Sequence, residues 1–156
     1  MRIGPLLLCI LLALFVLLFV PEAQALSALD AWNAEARDNL PTPVKVWLGL
    51  MMLTNLASVA FLKNHLASRW VFAGFVLSHA LVMYLWAQET TVLAGQVSLF
   101  HILFWTPGAI FLLRRRSEIR LPSAYGIWAT ASLFFYFGSM LFDVRDAILF
   151  LQHTIT

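Results

Sequence analysis

The sequence predicts an all-α integral membrane protein: a four-transmembrane-helix bundle preceded by a signal peptide and a short amphipathic periplasmic helix. Three observations predict it. Hydrophobic residues make up 62% of the 156-residue chain and charged residues only 12%, where a soluble domain carries about 25% charge. Four apolar segments each approach the roughly 20 residues that cross a bilayer core as a helix. The remaining charges are sorted by sign between alternate loops.

The composition also excludes several classes. A mean hydropathy of +0.84 leaves more apolar surface than one small core can hide, so lipid must solvate much of it. Disordered chains are charge-rich and poor in aromatics, whereas this one is 14% aromatic. The single cysteine, Cys9, falls in the expected signal peptide. The mature chain is therefore expected to hold no disulfide, zinc–thiolate cluster or thiol nucleophile.

Residues 1–25 have the three parts of a signal peptide: Arg2, an apolar run from Pro5 to Val20, and the small-x-small site Ala23-Gln24-Ala25. In residues 26–41, Ser27 and Asp30 have capping-box spacing. Leu29, Trp32, Ala36 and Leu40 then recur on one helical face, among Asp30, Glu35, Arg37 and Asp38. This predicts an amphipathic helix lying on the periplasmic membrane surface and ended by Pro41-Thr42-Pro43.

The spans are expected over residues 44–62, 70–87, 92–113 and 125–142, with a short periplasmic tail after the last. Open strands are excluded in lipid, where their backbone groups would go unpaired. A cleaved leader leaves the mature N-terminus outside, and four crossings return the C-terminus to the same side. Arg2, Lys63, Arg69, Arg114, Arg115, Arg116 and Arg120 then lie inside with Glu118. Arg37, Lys45 and Arg145 lie outside with Glu22, Asp30, Glu35, Asp38, Glu89, Asp143 and Asp146. This is the positive-inside distribution of a bacterial inner-membrane protein. Trp47, Trp70, Trp86 and Trp128 fall near span ends, as an aromatic belt predicts. Arg114-Arg115-Arg116 reads as a topology determinant that can touch anionic lipid, not as a nucleic-acid site.

Ionisable residues inside a span are costly and by default point to function. His79 and His101 stand about 15 Å from the short connection joining the second and third spans, so they share one depth. His79 aligns with Phe72, Phe75, Met83 and Trp86, and His101 with Ser98, Trp105, Gly108 and Leu112. Small residues such as Ser98 and Gly108 allow close helix approach, which turns His101 toward the bundle. The pair supports three readings: interhelical packing bonds, a proton relay, and a bis-histidine haem site with these two as the metal ligands.

In the fourth span Tyr125, Ala129, Ser132, Tyr136, Ser139, Asp143 and Asp146 alternate by four and three, making one small and polar stripe. Asp143 is expected at the outer interface, with Arg145 neutralising it or Asp146. Asn55 adds a polar group near the middle of the first span, completing a polar interior with His79, His101 and Tyr136. Pro107 is expected to kink the third span or to free a carbonyl one turn earlier.

No P-loop, GxSxG, HExxH or CxxC motif occurs. Compact spans, short loops and no catalytic motif predict a non-enzymatic accessory or assembly subunit. Its partners would be the lipid bilayer and either another membrane protein or a second copy, with no nucleic acid. A proton or ion pathway through the intramembrane histidines is the first alternative. A haem-binding redox protein is the second.

Overall fold

The computed structural model describes residues 41–88 and 92–155. The signal peptide and all of the amphipathic segment except residue 41 lie outside the described residues. The described chain is helical, with no strand. Helix α1 is Thr42–Ala57, drawn out by a 3₁₀ turn over Ser58–Phe61; α2 is Leu66–Ala87 and α3 is Ala94–Arg114. A short 3₁₀ turn, Arg116–Glu118, leads to α4, Ala124–Ile155. Each of the four is long and apolar enough to cross a membrane.

Local chemistry sets the ends. α1 starts behind Pro41, with Pro43 in its first turn, where a missing N–H costs nothing. The Gln96 side chain accepts the Leu93 N–H at 2.9 Å and opens α3. The Ser123 hydroxyl accepts the Gly126 N–H at 3.0 Å at the start of α4. α3 continues through Pro107, and the neighbouring Thr106 hydroxyl donates to the Ile102 carbonyl one turn back.

The fourth helix runs on beyond the expected stop at residue 142. Asp143, Arg145 and Asp146 do not end it, because the inward face continues past them with Ala147 and Phe150. Phe150 packs on Leu93 at the start of α3. Asp143 therefore lies inside the helix, roughly 13 Å along the axis from Gln152, and is buried.

Sequential helices pack as neighbours, α2 on α3 and α3 on α4 most extensively, while α1 leans more lightly on α4 and α2. The core holds Val71, Phe100, Phe104, Trp105, Leu112, Ala129 and Tyr136. Two glycines set the α2–α3 crossing. A Cβ on Gly74 would lie 2.2 Å from the Phe104 carbonyl oxygen, and one on Gly108 3.1 Å from Val71.

Two of the tryptophans expected in an aromatic belt are turned inward instead. Trp70 is buried and stacks on Phe111 at 4.9 Å. Trp128 is buried and donates to the Thr54 carbonyl at 2.9 Å. Each finds a ring or a carbonyl on a facing helix, which a purely interfacial position lacks. α1 is the peripheral helix: it buries Met51 and Asn55 but exposes Val46, Leu50, Leu53 and Leu56.

Candidate functional site

α3 and α4 bring His101 and Asp143 together across 42 residues of sequence. The imidazole Nδ1–H donates to Asp143 Oδ1 at 3.4 Å, a long bond, with the two side chains 18% and 12% exposed. The other carboxylate oxygen, Oδ2, is buried with no hydrogen-bond partner among the described residues. Buried polar atoms in native proteins are nearly always bonded to protein or water, so this oxygen is a place for a water or a ligand group.

The His101 ring is fixed by stacking on Trp105, with centroids 4.0 Å apart and 21° between planes. Trp105 in turn stacks on Tyr136 at 5.3 Å and donates its indole N–H to Ser78 Oγ at 3.1 Å. The Tyr136 hydroxyl donates to Asn55 Oδ1 at 2.8 Å, and the Asn55 amide donates to the Met51 carbonyl at 3.0 Å. Tyr136 and Asn55 are almost wholly buried.

In front of the pair lies a groove of about 520 Å³ between α1 and α4. Pro43, Val44, Trp47, Leu48 and Met51 form the α1 wall; His101, Ser139, Phe142, Asp143 and Asp146 form the other. The Trp47 indole fits over Gly138, where a Cβ would come within 2.6 Å of the ring. Its N–H donates to Ser139 Oγ at 3.3 Å, and the Ser139 hydroxyl donates to Met51 Sδ at 3.1 Å.

The residues singled out from sequence thus separate. Asn55, His101, Tyr136 and Ser139 gather with Asp143 around Trp105 and the groove. His79 stands beside them: it is half-buried, donates Nδ1–H to the Phe75 carbonyl of its own helix at 2.9 Å, lies 3.4 Å from the Ser78 hydroxyl, and is not a wall of the groove. Its neighbour Ser78 is the α2 residue that reaches Trp105. Ser78 belongs to the buried series Val71, Gly74, Phe75, Leu81 and Leu85, so helical spacing already marks it. Ser132 is buried and donates to the Trp128 carbonyl at 2.9 Å on its own helix. Ser98 is buried in α3 and lies away from the groove walls.

In the expected Asp143–Arg145–Asp146 cluster the Arg145 charge acts on Asp146. Residues two apart on a helix point in nearly opposite directions, so Arg145 is exposed while Asp143 turns to His101. Asp146, half-buried, reaches the groove. Among the described residues no group of three or more His, Cys, Asp or Glu side chains could hold a metal.

A second histidine–carboxylate pair sits at the arginine-rich end and was not singled out from sequence. His65 Nδ1–H donates to Glu118 Oε2 at 3.0 Å, and Arg115 donates to Oε1 at 2.9 Å. The His65 ring lies flat on Tyr125, 3.5 Å away and 7° from parallel. The Tyr125 hydroxyl is a second buried polar atom with no partner among the described residues. In the sequence Glu118 reads only as a loop charge. Nothing in the spacing of His65 and Glu118 announces the pairing, because it depends on how two loops meet.

The His65 hydrogen bond, reinforced by Arg115, holds the Glu118 carboxyl below its ordinary value of 4.5. A lowered carboxylate pKa gives stability that is present above the unfolded value and lost as pH falls through the folded one. Unfolding scans in detergent are therefore expected to show a loss below about pH 4.5 that Glu118→Gln removes. Its size is at most about 1 kcal/mol, as for other solvent-exposed pairs. An identical acid profile in the variant would contradict the assignment.

Comparison with models of known protein families, with characterised proteins and with solved structures finds no match to this chain.

Proposed function

We propose that this chain is a bacterial inner-membrane protein that moves protons through its helical bundle, with His101 and Asp143 as the proton-binding station. The observation that carries the reading is Asp143 itself: a carboxylate bonded by an imidazole on one oxygen and unpartnered on the other, inside an apolar helix bundle. Histidine exchanges protons near neutral pH, and an intramembrane acid facing a bundle interior is the usual mark of a proton relay.

The inward stripe of α4 supplies a route. From Asp143 it passes Ser139, the Tyr136–Asn55 bond and Ser132 to Tyr125, whose ring rests on His65. The stripe is about 27 Å long at 1.5 Å per residue, close to the ~30 Å of a hydrocarbon core. A polar atom without a protein partner stands at each end, Asp143 Oδ2 and the Tyr125 hydroxyl. Each is a place where a bridging water completes the chain. The loop charges orient the bundle with His65 and Glu118 cytoplasmic and both termini periplasmic, so the groove opens toward the periplasm.

The test is proton uptake into proteoliposomes followed with an entrapped pH dye. Wild type is expected to conduct, Asp143→Asn and His101→Leu to lose at least about tenfold (one proton-transfer group is commonly worth 10²–10⁴), and His79→Leu to behave as wild type. Wild-type liposomes no leakier than empty ones, or conduction unchanged in Asp143→Asn, would sink the proposal. A flux-silent protein isolated with stoichiometric membrane subunits would instead favour an accessory subunit. A Soret band lost on substitution of His79 and His101 would favour haem. His79 is not a wall of the groove that His101 lines.

A further inference from the structure

We infer that the groove between α1 and α4 is a binding site for an amphipathic organic cation, an ammonium or phosphonium head on an apolar body. Among the described residues its walls carry two carboxylates, Asp143 and Asp146, and no lysine or arginine, with the exposed Arg145 acting on Asp146 from outside them. Asp143 is only 9% exposed and is bonded by His101 on Oδ1 alone; its Oδ2 has no partner among the described residues, and a buried carboxylate satisfied on one side is further stabilised by an opposite charge nearby. The rest of the lining is apolar, chiefly Trp47, Leu48, Met51 and Phe142. That surface suits a hydrophobic body, and an indole face attracts cations as well. The volume of about 520 Å³ falls within the roughly 300–1,000 Å³ typical of small-molecule sites.

The same chemistry disfavours the nearest competitors. An aminophospholipid would bring a phosphate against Asp143 and Asp146 with no basic side chain among the described walls to receive it. A hard inorganic cation needs a cage of oxygen ligands, and these walls offer two carboxylates, one serine hydroxyl and otherwise hydrocarbon, rings and sulfur. A plain acyl chain would fill the apolar wall and leave the carboxylate unmet. The site shares Asp143 with the proposed proton station, but occupancy does not require proton flux.

The experiment is equilibrium dialysis of radiolabelled tetraphenylphosphonium against the full chain in phosphatidylcholine nanodiscs, with empty discs subtracted. Saturable binding of one cation per chain is expected, weakened at least tenfold by Asp143→Asn, with no competition from the anion tetraphenylborate. Leu48→Trp, which fills the groove from the α1 side and leaves the carboxylates in place, is expected to abolish binding. Far-UV circular dichroism checks that both variants remain helical. Uptake no greater than in empty discs, equal binding by Asp143→Asn, equal competition by tetraphenylborate, or full binding by Leu48→Trp would each overturn the inference. Saturable binding by a protein that passes no protons keeps the site and removes the proton pathway; flux without saturable binding does the reverse.

Discussion

Replacing Gly74 by alanine is expected to destabilise the bundle by about 3 kcal/mol, at the upper end of what overpacking usually costs. The added Cβ would lie 2.2 Å from the Phe104 carbonyl oxygen and 3.0 Å from its carbon. Both atoms belong to the α3 backbone, so no rotamer change relieves the clash and the two helices must part. Their separation also pulls Ser78 from Trp105, which couples packing to the site. Gly108→Ala meets Val71 at 3.1–3.3 Å and is expected to cost about 1 kcal/mol, the low end of overpacking. Gly49 has nothing within 4 Å of the new atom, and alanine favours a helix by up to about 1 kcal/mol over glycine. Gly49→Ala should therefore be neutral or mildly stabilising. Reversible unfolding in mixed detergent micelles, followed by far-UV circular dichroism, measures all three. A Gly74→Ala variant within 0.5 kcal/mol of wild type, on the ~1 kcal/mol scale of an average substitution, would disprove the crossing geometry.

The contrast between these glycines shows how far the sequence could be read. Apolar length reveals four spans, because lipid enforces a minimum of about 20 residues whatever the partners. The small residues Ser98 and Gly108 could be assigned to a close-packed face by spacing. The tightest contact is at Gly74, and no count of residues along α2 tells which turn of α3 it will meet. His79 illustrates the same limit. Its depth matches that of His101, but one position of helix rotation puts Ser78 at Trp105 and leaves His79 bonding its own helix.

The acids of α4 show a different limit. The four-and-three spacing puts Asp143 and Asp146 on the inward stripe, with Asp143 expected at the outer interface after a span ending near residue 142. They are carried inside α4 because Ala147 and Phe150 continue the buried face beyond them. The stripe containing Asp143 is visible from its four-and-three spacing, whereas its partner is not, since His101 comes from another helix. The His65–Glu118 pair was hidden for the same reason.

Trp105→Ala is expected to be the most damaging single substitution at the site, costing about 3 kcal/mol, the lower end of the range for truncating a buried aromatic. That lower end applies because the unfolded state of a membrane protein remains largely in lipid, so packing rather than water transfer carries the effect. Trp105 has no exposed surface and stacks on both His101 and Tyr136. Its removal opens a cavity at the meeting point of α2, α3 and α4 and frees the imidazole that faces Asp143. Trp105→Phe keeps a ring for both stacks and loses only the N–H donated to Ser78. The Ser78 hydroxyl still donates to the Phe75 carbonyl at 3.0 Å, so no donor is stranded, and the cost should stay near 1 kcal/mol, that of one ordinary hydrogen bond. The same pair of variants separates stability from proton movement. If Trp105 acts by holding His101 against Asp143, the phenylalanine variant should conduct within about threefold of wild type and the alanine variant should fall with His101→Leu, because imidazole orientation rather than the indole proton would govern transfer. Equal conduction in the alanine variant would mean that His101 needs no positioning ring. Loss in phenylalanine as severe as in alanine would move the indole N–H and Ser78 into the route itself.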